Sequence, residues 1–357
     1  MQLKVQRVLS SQQRISSVDI FRGLAIVAVV IFHYGTFLPL GFLGVDLFFV
    51  ISGLLVGGIL TREFLGTGNV DYKKFILRRG LKIWPSYYAF LFVGNGVAFL
   101  LYRDTYPDYV IPAWDLPRYV FFFQNYSGLP YHIVFDHVWS LCVEEHFYLL
   151  LPLLFLFIQF SVKSGHRVRY LIYLVCLTIL TGICMKFCSF YFTRSQDTYS
   201  ATHNRIDALA WGVLLYLILH LRGDQIKKQR GSFFYFIGGV ALFVVTLIIR
   251  GSWENVIFNK VIFHSIVPFS FFLMILGVYY IDFSRLRILR VIAYFSYNWY
   301  LWHVLLSTFI FDKFGDQLTG LLVYMASTFL IAVVATILIE EAVLAKRDKI
   351  FAPKSVQ

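Results

Sequence analysis

Long apolar runs dominate the chain, and short polar stretches separate them. A membrane-spanning helix needs about 20 mostly apolar residues, and ten runs approach or exceed that length. They lie near residues 19–38, 41–61, 78–102, 139–160, 168–192, 205–221, 232–250, 261–281, 289–311 and 318–341. The pattern predicts an all-α, polytopic membrane protein with about ten transmembrane helices and both termini on one side.

Positive charge alternates between successive loops. Of the 32 Lys and Arg residues, 23 lie in segments on the side of the N-terminus and 7 on the other side, while Arg22 and Lys186 lie within spans. Cytoplasmic loops of membrane proteins carry such an excess. The split predicts cytoplasmic N- and C-termini and explains the formal net charge of +12 without a nucleic-acid partner.

Composition supports the membrane assignment. Hydrophobic residues make up 59% of the chain and charged residues 15%, against about 25% charged residues in soluble domains. These values exclude a soluble globular enzyme, a disordered chain and a small disulfide-rich module. Cys184 and Cys188 lie one helical turn apart, but no His or carboxylate in that apolar run completes a metal set. No metal is therefore expected.

We expect no soluble domain. The sequence favours a single transmembrane domain over residues 1–345 and a short cytoplasmic tail over 346–357. The longest connection, about 103–138, is predicted to lie outside and to contain a short helix near 116–124.

Ionisable side chains inside a bilayer are costly, so each one marks a candidate site. Arg22 and His33 are eleven positions apart in the first span, close to three helical turns, and therefore share a face. The same spacing puts them about 16 Å apart along the helix axis. Arg22 is then near the cytoplasmic boundary, and His33 lies in the outer half.

Other spans bring polar groups to a similar outer depth, and positive charges open the third span at its inner end. The outer group is Asp46, Glu144, Arg205, Asp207 and His303, and the inner group is Arg78, Arg79 and Lys82. Simpler interpretations exist for each. Lys and Arg can be ordinary membrane anchors, Arg205 and Asp207 an interfacial salt bridge, and His303 a helix–helix hydrogen bonder. Exposure near the outer boundary accounts for His132, His137 and His146.

Six segments in order match one family. They are DIFRGLA with the following Arg-x10-His pair (19–33), GVDLFFVISGLL (44–55), RRGLKIWP (78–85), WSLCVEEHFY (139–148), RIDALAWG (205–212) and SYNWYLWH (296–303). Together they resemble the acyltransferase-3 membrane acyltransferases, which include bacterial O-antigen and exopolysaccharide O-acetylases. Lys82 stands where that family usually has Arg, and His146 replaces a commoner Gln. The chain resembles the stand-alone form, without a hydrolase-like domain.

The resemblance implies transfer of an acyl group, usually acetyl, from cytoplasmic acyl-CoA to a hydroxyl of an extracytoplasmic or lipid-linked carbohydrate. It implies a multi-pass protein of the bacterial inner membrane. Arg78, Arg79 and Lys82 would then bind the anionic donor. His33 would be the general base, Glu144 would orient it, and Arg22 would complete the catalytic set. Acceptor binding or support is expected from Asp19, Asp46, Arg205, Asp207 and His303.

Alternatives remain open at this point. A transporter or flippase for a small or lipid-linked solute would also need charged groups at both mouths, although the two halves show no matching broken helices. A non-catalytic scaffold gives no reason for ionisable groups in apolar helices. Within the enzyme class, the acyl group could be succinyl, the acceptor could be other than a sugar, and transfer could pass through an acetylated His33.

Overall fold

The computed structural model describes residues 15–126, 132–192, 199–228, 231–252 and 256–351. Predictions on other residues lie outside this part of the chain, among them the end of the tail (352–357) and the charges of Lys4, Arg7, Arg14, Arg194, Arg230 and Lys354. The described residues form helices and turns without a strand, which confirms the all-α prediction.

Ten long helices run through the described residues. They are α1 (Ser16–Phe32), α2 (Gly44–Thr67), α3 (Tyr72–Tyr102), α4 (Trp139–Ser161), α5 (Arg167–Phe192), α6 (Ile206–Lys228), α7 (Phe233–Ser252), α8 (Phe258–Val278), α9 (Arg287–Trp302) and α10 (Leu318–Ile350). Eight of these described helices are long and apolar enough to cross a membrane. The other two, α1 with 17 residues and α9 with 16, match the remaining predicted spans. The chain is a multi-pass integral membrane protein, and its orientation stays a prediction.

The described residues divide into two compact units. The first unit takes residues 15–25, 42–70 and 139–291, and the second takes 26–41, 71–138 and 292–351. Helices α1 and α9 each contribute residues to both units. We describe each unit by itself.

Close packing of α2 on α6 organises the first unit. A Cβ on Gly53 would overlap the carbonyl oxygen of Leu209, and a Cβ on Gly212 would overlap that of Val50. Small residues let two membrane helices approach until their backbones touch. This approach positions Asp46 on α2 and the start of α6 within one interior.

The second unit is built on α3, α10 and the connection between α3 and α4. The Asp71 side chain accepts a hydrogen bond from the Lys74 backbone N–H (2.9 Å) and caps α3. The Asn95 side-chain amide donates to the Ile111 carbonyl (3.0 Å), and its oxygen accepts from the Ile111 N–H (2.8 Å). These bonds tie the connection to α3. The short helix predicted near 116–124 is Leu116–Val120.

Candidate active site

Three histidines contact one another in the second unit. His33 follows the last residue of α1, His137 lies in the 3₁₀ turn Ile133–Val138, and His303 begins the turn after α9. The ring centroids of His33 and His303 are 4.8 Å apart, and those of His137 and His303 are 5.0 Å apart. We call these three residues the histidine cluster. Two predicted site residues, His33 and His303, are therefore neighbours.

A main-chain carbonyl determines the tautomer of His33. Its Nδ1 atom lies 2.8 Å from the carbonyl oxygen of Val29. A carbonyl oxygen only accepts hydrogen bonds, so Nδ1 must carry the hydrogen. In the neutral ring, Nε2 then holds the lone pair. This nitrogen is the atom that can take up a proton.

His303 is constrained in the same way. Its Nδ1 lies 2.7 Å from the carbonyl oxygen of Tyr300 and 3.1 Å from that of Trp299, so this nitrogen is also the donor. Its Nε2 lies 3.3 Å from the Nδ1 of His33. His33 therefore shares its Nδ1–H between Val29 and His303, and His303 accepts from it.

His137 completes the cluster and is buried, with 4% of its surface exposed. Its Nε2 donates to the Leu301 carbonyl (3.2 Å), and the Tyr300 hydroxyl donates to the His137 carbonyl (2.6 Å). The interpretation of His137 as an exposed boundary residue is wrong. The turn before α4 buries His137 together with Val134 and Phe135, although it lies outside the predicted span.

Hydrogen bonds just beyond α1 hold His33 in place. The Tyr34 hydroxyl donates to the Gly315 carbonyl (3.0 Å), and the Thr36 hydroxyl donates to the Asp316 carboxylate (2.5 Å). Gly35 has a φ of +84°, a conformation that side chains with a Cβ rarely adopt. Gly35 therefore lets the chain change direction just after His33, while Tyr34 and Thr36 keep their hydrogen bonds.

The predicted donor-binding cations lie on α3. Arg78 and Lys82 are four positions apart and share a face of the helix, and Arg79 is adjacent. All three are partly buried. Arg78 lies over the ring of Phe351, with 5.6 Å between the guanidinium carbon and the ring centroid. The sequence prediction that these cations open α3 is wrong, because the helix begins at Tyr72 and they lie six to ten residues after its start.

Lys82 has a carboxylate partner that the sequence analysis missed. Its Nζ forms an ion pair with Glu340, which is nearly buried. The Asn298 amide donates to the other oxygen of Glu340 (2.8 Å) and to the Thr336 hydroxyl (3.0 Å). Thr336–Glu340 is a π-helical segment of α10. The sequence signal that could have identified Glu340 was the adjacent pair Glu340 and Glu341 at the end of the last apolar run.

Asp19 and Arg22 belong to the first unit. The Asp19 carboxylate pairs with Arg290 at 3.6 Å, and both side chains are nearly buried. Arg22 is partly buried on the same helix. A Cβ on Gly23 would overlap the Leu289 carbonyl oxygen. The start of α1 is therefore packed against the start of α9.

Two buried ion pairs lie in the interior of the first unit. Asp46 pairs with Arg205, and Lys186 pairs with Asp207 at 2.6 Å, with side-chain exposure of 1% or less for all four. The Lys186 ammonium also donates to the His264 carbonyl (3.0 Å) and the Ser265 hydroxyl (3.1 Å). We call these four charged residues the ionic cluster. The sequence analysis placed Lys186 inside a span but did not identify it as the partner of Asp207.

Glu144 lies one turn before Tyr148 on α4, in the first unit. The Tyr148 hydroxyl donates to a Glu144 carboxylate oxygen at 3.0 Å and also contacts the Ser52 hydroxyl of α2. Because Tyr148 donates to Glu144, Ser52 is the donor in the second contact. Glu144 is partly buried. Its predicted role toward His33 stays a prediction.

No three His, Cys, Asp or Glu side chains among the described residues are grouped so that they could hold a metal ion.

Comparison with known proteins identifies relatives of the chain. A family model described as an acyltransferase domain, that of the acyltransferase-3 family, matches residues 15–340. A Staphylococcus aureus (strain COL) protein named "putative O-acetyltransferase" is 27% identical over 335 residues, which cover 87% of this chain and 53% of that protein. The O-acetyltransferase OatA of S. aureus (strain NCTC 8325) is 27% identical over 364 residues, covering 96% of this chain and 59% of OatA. No solved structure matches the chain.

The chain thus spans somewhat more than half the length of these curated relatives. The family match, in contrast, covers nearly the whole chain and all six motif segments. It confirms the prediction of an acyltransferase rather than a transporter or a scaffold. The chain belongs to the acyltransferase-3 family of membrane acyltransferases.

Proposed function

We propose that this protein is a membrane O-acyltransferase that moves an acetyl group from acetyl-CoA to a hydroxyl of an extracytoplasmic or lipid-linked carbohydrate. The observation that carries the proposal is the hydrogen bond from His33 Nδ1 to the Val29 carbonyl, because it leaves the Nε2 lone pair available as a general base. The O-acetyltransferase names of the relatives favour acetyl as the group transferred.

In the proposed reaction, Nε2 of His33 removes the proton from the acceptor hydroxyl. The hydroxyl oxygen forms a bond to the thioester carbonyl carbon, and the carbon–sulfur bond breaks as the CoA thiolate leaves. The proton held on Nε2 then passes to the thiolate. The products are an O-acetyl ester and the free thiol of CoA, and the neutral imidazole is restored.

His303 is the positioning residue in this proposal. When His33 is protonated, its Nδ1–H remains shared between the Val29 carbonyl and Nε2 of His303, at 2.8 and 3.3 Å. Two acceptors on the same N–H hold the ring orientation and stabilise the positive charge. The catalytic roles predicted for Glu144 and Arg22 stay predictions. The Nδ1–H of His33 is bound by Val29 and His303, so Glu144 would have to act on the ring in another way than by accepting from Nδ1.

Arg78 and Arg79 are assigned to the phosphate groups of the donor. A guanidinium presents a planar fork that matches phosphate oxygens. Lys82 contributes less, because the Glu340 carboxylate already balances its charge. Asp46, Arg205 and Asp207 are assigned a supporting role, because their buried ion pairs hold α2, α5 and the start of α6 together.

The test uses the full chain purified in lipid nanodiscs with acetyl-CoA, succinyl-CoA and CoA alone. We expect release of free thiol from acetyl-CoA in excess of protein-free nanodiscs. In cells, mass spectrometry of envelope glycans should show acetyl esters that depend on expression of the chain. Transport of acetyl-CoA or glycan without any thiol release or ester formation would overturn the proposal, and release from succinyl-CoA alone would replace acetyl by succinyl.

A further inference from the structure

A cavity of about 520 Å³ lies in the first unit, lined by none of the residues assigned above. Its walls come from the last turns of α2, the last turns of α6 and the residues that follow α8. The polar lining includes Arg62, Tyr216, Arg222, Asp224, Tyr279 and Tyr280. We call this the arginine–tyrosine cavity. None of its lining residues belongs to the histidine cluster or to the ionic cluster.

The cavity lies where a membrane surface is expected. Along the chain, the ends of α2, α6 and α8 lie within five residues of its lining, and the alternation of loop charge predicts that all three end on the cytoplasmic side. Arg62 and Arg222 are exposed. Tyrosine is enriched at membrane interfaces, and arginine is enriched in cytoplasmic loops. We therefore expect lipid headgroups as well as water next to this cavity.

The charges around the cavity favour an anion. Two guanidinium groups face one carboxylate, Asp224, which leaves a net charge of +1. The negative end of a helix dipole acts only within the last turn. Arg62 is five residues before the end of α2 and Arg222 is six before the end of α6, so this opposing effect comes mainly from α8. A single negative charge is therefore the best electrostatic match.

The tyrosines of the cavity supply hydrogen-bond donors, and contacts with neighbouring residues fix the positions of two of them, Tyr216 and Tyr280. Arg62 donates to the Tyr216 hydroxyl at 3.5 Å, and the Tyr216 ring stacks on His220 with centroids 6.1 Å apart. A Cβ on Gly223 would overlap the Tyr280 hydroxyl, so this tyrosine lies directly against the α6 backbone.

Two of these hydroxyls remain protonated at neutral pH. Burial raises the pKa of Tyr279 to about 12. Burial, followed by the nearby Asp224 carboxylate, raises the pKa of Tyr280. Both hydroxyls can therefore donate to an anionic oxygen.

We propose that the arginine–tyrosine cavity binds a phosphodiester anion, held by Arg62 and Arg222 and by the tyrosine hydroxyls. A phosphodiester carries one negative charge at neutral pH and presents oxygens to a guanidinium fork. The group has two sources, the headgroup of an anionic phospholipid or the phosphodiester of a soluble cyclic nucleotide. This inference is independent of the proposed acyl transfer.

The experiment measures binding to the full chain in nanodiscs in two arms. In the lipid arm, nanodiscs contain phosphatidylglycerol and phosphatidylcholine, and native mass spectrometry counts the phosphatidylglycerol retained by the protein. In the soluble arm, nanodiscs contain phosphatidylcholine alone, and calorimetry follows titration with 3′,5′-cyclic adenosine monophosphate, a phosphodiester with one negative charge. Retention in the first arm identifies a lipid site, and binding in the second identifies a nucleotide site.

The variants decide whether the cavity is responsible. Arg62→Gln and Arg222→Gln should each weaken binding about tenfold, because each removes a charge-assisted contact. Asp224→Asn should strengthen binding several-fold, a gain that misfolding would not produce. Arg169→Gln is the matched control, since Arg169 is exposed in the same unit but does not line the cavity. The proposal is overturned if neither probe binds, if Arg169→Gln weakens binding as much as the cavity variants, or if Asp224→Asn fails to strengthen it.

Discussion

The ionic cluster of the first unit and the histidine cluster of the second deal with charge in opposite ways. In the first unit, the ionic cluster buries four full charges and matches each with one of opposite sign. In the second unit, the histidine cluster joins rings that need no charge, of which His137 and His303 are buried and His33 is partly buried. Main-chain carbonyls of Val29, Tyr300 and Leu301 bind one nitrogen of each ring.

This difference favours a structural role for the ionic cluster and a chemical role for the histidine cluster. Charges removed from water lose several kcal/mol of hydration each, so they persist in a membrane interior only when paired. Each such pair joins residues from separate helices or from a helix and the turn beside it. A neutral imidazole with its N–H bound to a carbonyl still holds a lone pair on the other nitrogen. The ionic cluster is therefore suited to holding helices together, and the histidine cluster to moving protons.

His33→Ala should separate the two roles with the largest effect on activity. Removing a general base typically lowers the rate by about 10²- to 10⁴-fold. The melting temperature in nanodiscs should change little, because no buried charge loses its partner. Acetyl transfer measured by free-thiol release tests the first expectation and thermal unfolding the second. His166→Ala, at an exposed histidine, is the control and should leave both values unchanged. Undiminished turnover in His33→Ala would remove His33 from the mechanism.

Asp207→Asn should mainly lower folding stability, whereas His33→Ala mainly lowers activity. It leaves the Lys186 ammonium buried without a counter-charge, and such a loss costs about 3–5 kcal/mol of folding stability. Thermal unfolding and the yield of folded protein report the effect. The double variant Lys186→Met/Asp207→Leu should recover much of the loss, because replacing both partners by apolar groups leaves no unpaired charge. A single variant as stable as the parent chain would contradict a structural role for the ionic cluster.

His303→Ala tests the positioning role within the histidine cluster. We expect a decrease in kcat of about tenfold with little change in KM, since one hydrogen bond to the reacting ring is lost. His303→Gln keeps an oxygen that can accept from His33 Nδ1 and should restore most of the activity. If the Gln variant is as impaired as the Ala variant, His303 acts only through packing.

The smallest effect is expected at an exposed carboxylate of the first unit. Hydrogen bonds from the Ser284 N–H, the Ser284 hydroxyl and the Ser16 hydroxyl lower the pKa of Asp282. A lowered pKa in the folded state contributes stability above the unfolded pKa, about 3.9, and that contribution disappears as the pH falls through the folded value. Asp282→Asn should therefore lower the melting temperature slightly at pH 6. The difference from the parent chain should disappear on acidification, and a difference that grows at low pH would contradict this assignment.

Sequence reasoning succeeded where a feature is local. All ten predicted spans correspond to long helices among the described residues, because hydrophobic runs report helices directly. His33 and His303 were both selected, since ionisable groups in apolar helices stand out. His137 was missed because it lies in a buried 3₁₀ turn outside the predicted span, where no helical pattern reports burial. Glu340 was missed because carboxylates that end a span resemble an ordinary helix end.

The sequence by itself determined the helical membrane architecture, the residues that carry charge into it and the spacing of Arg22 and His33. Only the tertiary structure decided which of these groups meet. Asp46 and Arg205 are 159 residues apart in the chain, Lys82 and Glu340 are 258 apart, and His33 and His303 are 270 apart. Helical periodicity extends over a few turns of one helix, whereas an ion pair or a shared N–H forms through the packing of separate helices.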